Sequence, residues 1–364
     1  MWPNKRLTDL LGIEHPIVLS PMAGIGTPAL AAAVCEAGGL GSVGCGPLPP
    51  PTAAETIEAL RRLTSRPINV NFFCHTRATI DAKRDLAWRE RLAPYYRELG
   101  LDLDAPPPVT DIPPFGAAHC AIVEKARPEV VSFHFGLPEP ALLSRVKAAG
   151  CRVLSSATTV EEALWLEAHG ADAIIAQGFE AGGHRGTFLA PDIVQTLPSQ
   201  PGTLALVPQV VDAINVPVIA AGGIADGRGI AAALALGAAG VQMGTAFLLC
   251  PETATPALHR DALRRTRACA TVVSNLMTGR PARLLPNRLT REVGPILSGL
   301  PDFPLPMGAL QPLRARAEQQ ASSDFTPLWA GQGAALAQEM PAKALMLDLV
   351  CRTEARQPRK TIPA

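Results

Sequence analysis

Eight short apolar runs, most of them followed by an alanine-rich helical pattern, set the tightest limit on how this chain can fold. They lie at 16–22 (PIVLSPM), 39–43 (GLGSV), 68–73 (INVNFF), 130–135 (VVSFHF), 152–156 (RVLSS), 171–176 (ADAIIA), 216–221 (VPVIAA) and 240–248 (GVQMGTAFL). Helical patterns fall between them at 28–37, 53–62, 141–149, 160–169 and 228–236. A strand that is apolar along its whole length offers water no face, so such strands belong in a parallel sheet covered by helices on both sides. Eight strand–helix units over roughly 250 residues predict an α/β fold, a closed (β/α)8 or TIM barrel. A doubly wound open sheet is the alternative, yet it places Gly-x-Gly-x-x-Gly after its first strand. Here the first run ends in PMAGIG, which does not fit that spacing.

Two segments break the alternation. Residues 77–116 hold a charged helical pattern (79–99) and then the proline-rich APPPVTDIPPFG, an excursion after the third strand. Residues 250–324 are rich in Arg, Pro and Leu, with a helical pattern over 256–278. Arg260, Arg264, Arg265 and Arg267 read there as a solvated helix face. The expected organisation is a barrel over 1–249, a small, mostly helical substrate or lid domain over 250–324, and a segment 325–364 that returns to the barrel with a terminal helix. At 364 residues and 48% hydrophobic content the chain can bury one large core and a smaller one.

Charge and cysteine usage exclude several classes. A formal charge of +1 gives no field to draw nucleic acid or an anionic membrane. Cys35, Cys45, Cys74, Cys120, Cys151, Cys250, Cys269 and Cys351 form no Cys-x-x-Cys pair, so reduced thiols in a cytosol are expected rather than disulfides or a metal framework. The start, MWPNKRLTDLLGI, is too polar for a signal peptide. The uncharged stretch 230–250 is long enough to cross a bilayer, but it contains Gln242 and breaks at Gly237 and Gly240 into a helix and a strand. A cytoplasmic protein is expected.

Barrels of this kind place their chemistry at the C-terminal ends of strands. Those positions hold Ser20 to Ala23, Gly44, Cys45, Asn71, His75, His134, Ser155, Ser156, the stretch 177–184, Gly222, Gly223, Gly244 and Thr245. None of the six lysines ends a strand, which disfavours Schiff-base chemistry. No two carboxylates end strands as a glycosidase needs, and no Asp/Glu/His cluster suggests a metal. A site so equipped needs a cofactor. AAGGIADGRG (220–229) and QMGT (242–245) follow strands seven and eight, where this fold habitually binds phosphate; either glycine turn alone reads equally well as a tight turn, and the two together favour phosphate. The amides of Asn71 and Gln177 can meet a heteroaromatic ring edge. A mononucleotide or FMN fits these features better than a dinucleotide.

Among the histidines, His15, His119, His169 and His259 read as surface or structural, and His75 and His134 as packed near the core. His184 differs, since it sits inside the glycine loop of AIIAQGFEAGGHRGTF directly after a buried strand. There it can act as a positioned acid–base or anion-holding group, especially if protonated.

PMAGI, GGLGSVG, NVNFFCH, SFHFGLP and ADAIIAQGFEAGGHRG, continued by AAGGIADGRG, QMGTAFL, MTGRPAR and WAGQG, together resemble the class I nitronate monooxygenases over nearly the whole chain. The resemblance implies an FMN-binding barrel with a small lid. It places Asn71, Gln177, Gly182, Gly183, Gly222, Gly223, Gln242, Met243, Gly244 and Thr245 around FMN, with Met22, Ala23 and Gly24 against the flavin and Gln332 closing the site. His184 matches the family's catalytic histidine, while His134, Phe303 and Met307 are candidate substrate contacts. The implied reaction is oxidation of alkyl nitronates, such as propionate 3-nitronate, by O2 to a carbonyl compound and nitrite, through one-electron transfer to the flavin. No membrane or nucleic-acid partner is implied, and the protein would be a monomer or homodimer. Rivals are a flavin-dependent enoyl-acyl-carrier-protein reductase or an NADH:quinone reductase on the same fold, and a flavin-binding protein without turnover. Passive binding would not need a titratable group at His184.

Overall fold

The structure, a computed structural model, describes residues 2–266 and 270–356. Its strands are β1 (Ile17–Leu19), β2 (Gly41–Gly44), β3 (Ile68–Phe73), β4 (Val130–His134), β5 (Arg152–Ala157), β6 (Ala173–Gln177), β7 (Gly183–His184), β8 (Val218–Ala221), β9 (Gly240–Met243), β10 (Val272–Ser274) and β11 (Ala282–Leu284). Eight of them form one parallel sheet in the order β1-β9-β8-β6-β5-β4-β3-β2. Between its edges, Leu40 N–H donates to Ile17 O and Leu19 N–H to Leu40 O, at 3.0 and 2.9 Å. Together with the parallel bridge Val18–Leu40, these bonds close the barrel. β7, β10 and β11 make a separate three-stranded sheet.

Several barrel helices start where a short polar side chain takes up their free amides. Thr27 caps Pro28–Glu36 by accepting from Leu30 N–H, and Asp226 caps Gly227–Ala235 by accepting from Arg228 and Gly229 N–H. Gly41 lets the first of these helices lie directly on β2, because a Cβ there would be 2.0 Å from Ala31 O. The helix Ala342–Glu354 completes the outer ring against Gly227–Ala235 and Pro28–Glu36.

The boundaries differ from the apolar runs in instructive ways. The run 240–248 is strand only to Met243; Gly244 turns the chain and Thr245–Phe247 is a single 3-10 turn. The helical pattern 256–278 yields a helix only at Ala257–Arg265, and the chain then re-enters as β10, paired antiparallel with β11. The arginine reading also needs correction. Arg260 is not a solvated face: its guanidinium donates to the carbonyls of Leu249, Cys250 and Thr255. Arg264 pairs with Glu339 at 2.7 Å, Arg265 is exposed, and Arg267, like Cys269, lies outside the described residues. The seven described cysteines are free thiols.

A second core lies beside the barrel. Trp88, Leu92, Tyr95 and Tyr96, from the helix Ala82–Glu98, pack with Leu276, Met277, Leu310, Leu313 and Phe325. Trp88 Nε1 donates to Pro306 O at 3.2 Å, and Tyr96 OH to Ala309 O at 2.7 Å. The excursion after β3 thus anchors segments that lie some two hundred residues later in the chain. No described helix is long and apolar enough to cross a membrane.

Candidate active site

A cavity of about 540 Å3 opens at the C-terminal ends of the barrel strands, roofed by residues from 303 to 333. Of the residues singled out by the sequence, Met22, Ala23, Asn71, His134, Gln177, Gly182, Gly183, His184, Gly222, Gly223, Gln242, Gly244, Thr245, Phe303 and Met307 line it. Three do not. Met243 is buried in the barrel core, where its carbonyl accepts from Ser20 N–H. Gly24 stands away from the cavity, and at Gln332 it is the flanking Gly331 and Gly333 that face inward.

The β8–β9 side is a backbone cradle. Gly222 and Gly223 hold φ of +117° and +71°, a region that favours glycine. A Cβ on Gly222 would also come within 2.9 Å of Thr203 Oγ1. The amides of Gly223, Gly244 and Thr245 donate to no described group, the condition an anion such as phosphate requires. Gly182 passes the turn before Gln332 so closely that a Cβ would be 2.5 Å from Gly331 N. Gln242 contributes a buried Oε1 with no partner, an acceptor left open on the cavity wall. Free amides, open glycine backbone and an unspent acceptor are what a phosphorylated heteroaromatic cofactor needs, so the residues present fit such a group.

The β3–β6 side is built from side chains. Asn71 lies within β3 rather than at its end; its Nδ2 donates to Ser132 O and Oγ, and its Oδ1 has no described partner. Gln177 is spent on the loop that follows it: Nε2 donates to His184 O at 3.0 Å and Oε1 accepts from Gly186 N–H at 2.8 Å. Arg185, wholly buried, donates to the carbonyls of Gln177 and Gly178 and to Gln200 Oε1. The loop is therefore a clamped turn, and β7 within it pairs with β11 through His184 and Ala282.

His184 Nε2 lies 2.9 Å from Thr278 Oγ1, and Nδ1 has no described partner. Its ring stands among Trp329, Phe303 and Phe135, with centroids 5.4, 5.5 and 6.0 Å away. Burial first, then the neighbouring His134, Arg280 and His75, push its pKa down to about 3. The imidazole is therefore neutral in this cavity, and it holds an anion by charge only after taking up a proton. His134 uses both nitrogens inside the protein: Nδ1 meets Ser156 Oγ at 2.5 Å and Nε2 the carbonyl of His184 at 3.2 Å. A carbonyl only accepts, so Nε2 carries the proton. Burial and then Arg280 hold the His134 pKa down to about 3. His75 contacts Ile112 O through Nε2, and burial is the chief cause of a pKa near 4. Burial pushes the Cys45 thiol up to about 12, which makes it a packing group rather than a nucleophile.

Four contributors escaped sequence reasoning: Phe73, which lines the cavity, Thr278 and Trp329 against His184, and Arg280 behind Phe135. MTGRPAR and WAGQG stand out as motifs, but nothing local says that they come to rest over β6.

A closed (β/α)8 barrel whose mouth joins a backbone anion cradle to a buried imidazole defines a cofactor-binding barrel enzyme. The chain belongs to the nitronate monooxygenase family, whose profile matches residues 4–352. It is 46% identical over 357 residues to a nitronate monooxygenase of Pseudomonas aeruginosa, covering 95% of this chain and 98% of that protein. A solved nitroalkane oxidase of Streptomyces ansochromogenes superposes with a TM-score of 0.87 at 39% identity, covering 96% of this chain and 98% of the other. FabK of Thermotoga maritima superposes with a TM-score of 0.69 at 31% identity, covering 96% of each chain. The family is one of flavin-dependent oxidoreductases.

Proposed function

We propose that this protein is a cytoplasmic, FMN-dependent nitronate monooxygenase that oxidises small alkyl nitronates, propionate 3-nitronate among them, with O2 to a carbonyl compound and nitrite. The single observation that carries the reading is the free Nδ1 of His184, on a ring fixed at Nε2 by Thr278 and enclosed by aromatic side chains. Gly222, Gly223, Gly244 and Thr245 would hold the phosphate of FMN, and Gln242 Oε1 offers an acceptor to a ring N–H. When bound, the flavin supplies the one-electron acceptor that this oxidation needs.

The protein's own part is to bind and orient an anion. A nitronate spreads its charge over two oxygens. The Thr278 hydroxyl donates to Arg280 O at 3.2 Å, so His184 Nε2–H donates to Thr278 Oγ1, and Nδ1 is the free nitrogen that, once protonated, presents an N–H to one of those oxygens. The arriving anion also favours the protonated ring, so the low pKa of His184 rises on binding. Phe135, Phe303 and Trp329 keep water from the contact, which strengthens it. The segment 250–324 serves as the cover that closes over the substrate, with Met307, Leu310, Gln311 and Arg314 along one face of its helix Pro306–Gln319.

A flavin-dependent enoyl-acyl-carrier-protein reductase or an NADH:quinone reductase on the same fold is the rival reading. Aerobic turnover of propionate 3-nitronate should consume O2 and release nitrite without NADH, and heat-released cofactor should elute as FMN. NADH-driven reduction of an enoyl thioester or quinone, with no nitrite from nitronates, would overturn the proposal.

A further inference from the structure

A second cavity of about 790 Å3 lies behind the first, between the ends of β3 and β4 and the turn at 297–303. The two share Phe303 as a wall residue. Phe135 stands between them, its ring 5.8 Å from that of Phe303 and 6.0 Å from that of His184. Phe135 holds φ at +69°, a left-handed conformation that a bulky side chain adopts only when its surroundings impose it.

Three arginines line this second cavity. Arg77 pairs with Asp111 at 3.1 Å and Arg84 with Asp302 at 2.9 Å. Arg280 has no carboxylate within ion-pair distance among the described residues. Its guanidinium lies 3.9 Å from the centre of the Phe135 ring, one Nη donates to Thr187 O, and its buried Nε has no partner. The carboxylate that acts on it from a distance, Glu162, is already committed to Thr158, Phe188 and Leu189. Asp192, also on the wall, caps the amides of Val194 and Gln195. His75 adds a second orphan to the same wall, its buried Nδ1. A desolvated cation without a counter-ion is unfavourable, and buried polar atoms without partners are few in folded proteins.

We propose that the second cavity binds a compact planar oxyanion of the carboxylate or nitrite class, with the guanidinium fork of Arg280 as its principal contact. The fork matches such an anion with two parallel N–H donors. An anion that arrives with a proton for His75 Nδ1 satisfies both orphans at once. Two sources share this chemistry, small carboxylates in solution and the nitrite of the proposed reaction. The inference rests on the geometry of Arg280 and not on the nitronate reading.

Calorimetric titration of the purified flavoprotein with sodium nitrite, and separately with sodium acetate, tests it at constant ionic strength without turnover. One saturable site is expected in the wild type. Affinity should fall about tenfold or more in Arg280→Met and Arg280→Gln. The loss should be smaller in Arg280→Lys, which keeps the charge and loses the fork. His184→Asn, in the other cavity, should leave the affinity unchanged. Tighter nitrite binding would mark the reaction product as the ligand, tighter acetate binding a carboxylate. Should the methionine variant fail to fold, the glutamine and lysine variants carry the comparison. No saturable site in the wild type, or equal affinity across the Arg280 variants, would overturn the proposal.

Discussion

On the β8–β9 side the main cavity is walled by backbone; on the β3–β6 side it is walled by side chains. The first wall consists of glycines at positive φ and amides without partners, drawn from two short stretches, 222–223 and 244–245. The second gathers His134, His184, Phe73, Phe303, Thr278 and Trp329 from segments scattered over the whole chain. A backbone wall holds a ligand through groups that do not titrate and cannot be substituted away. A side-chain wall can tune proton affinity, but only if distant segments are packed accurately behind it. Cofactor retention and substrate handling should therefore be separable by mutation.

The largest effect expected is on the backbone wall. Gly222→Val strains a residue at φ +117° and drives its side chain toward Thr203 Oγ1. The purified variant should lose its visible flavin absorbance and all turnover. A yellow, active Gly222→Val protein would show that the cradle does not hold the cofactor.

On the other wall, His184→Asn should retain flavin and stay within about 0.5 kcal/mol of wild-type stability, while kcat/KM falls by on the order of 10² to 10³. Loss of flavin and stability together would erase the distinction between the two walls. Gln177→Leu tests the clamp beneath His184. It leaves a buried Gly186 N–H without its acceptor, so urea denaturation should show a loss of about 1–3 kcal/mol, with flavin content largely kept. An unchanged denaturation midpoint would mean that the loop is held by other groups.

How far the sequence foretold each wall follows from the range of its contacts. Glycine pairs after strands seven and eight declare themselves locally, and so does a histidine between glycines after a buried strand. The strand positions were legible because a doubly covered strand is apolar throughout, although the run 240–248 concealed the turn at Gly244. Arg260 was misread because its carbonyl partners at 249 and 250 lie across a turn that composition does not reveal. Thr278 meets His184 across 94 residues. Its placement depends on β10 pairing with β11 and on the second core formed with Trp88 and Tyr96, neither of which leaves a local pattern.

A smaller effect follows from the histidines. His134 and His184 titrate near 3 and His75 near 4 in the folded protein, against 6.5 for the ordinary side chain. The unfolded chain therefore takes up protons between about pH 6.5 and 4 that the native state refuses, and stability is lost as pH falls through that window. Melting temperatures measured from pH 8 down to 4 should decline below about 6.5, and less steeply in His184→Asn. A flat profile would mean that these rings take up protons in the fold at the same pH as in the unfolded chain.

The central claim is that the bound flavin accepts electrons from a nitronate held at His184. Anaerobic stopped-flow mixing of the purified protein with propionate 3-nitronate, and in a second syringe pairing with NADH, tests it most directly. The account predicts that the nitronate changes the flavin spectrum rapidly in the wild type and far more slowly in His184→Asn, while NADH leaves it nearly unchanged. Rapid bleaching by NADH, with no spectral response to the nitronate, would contradict it.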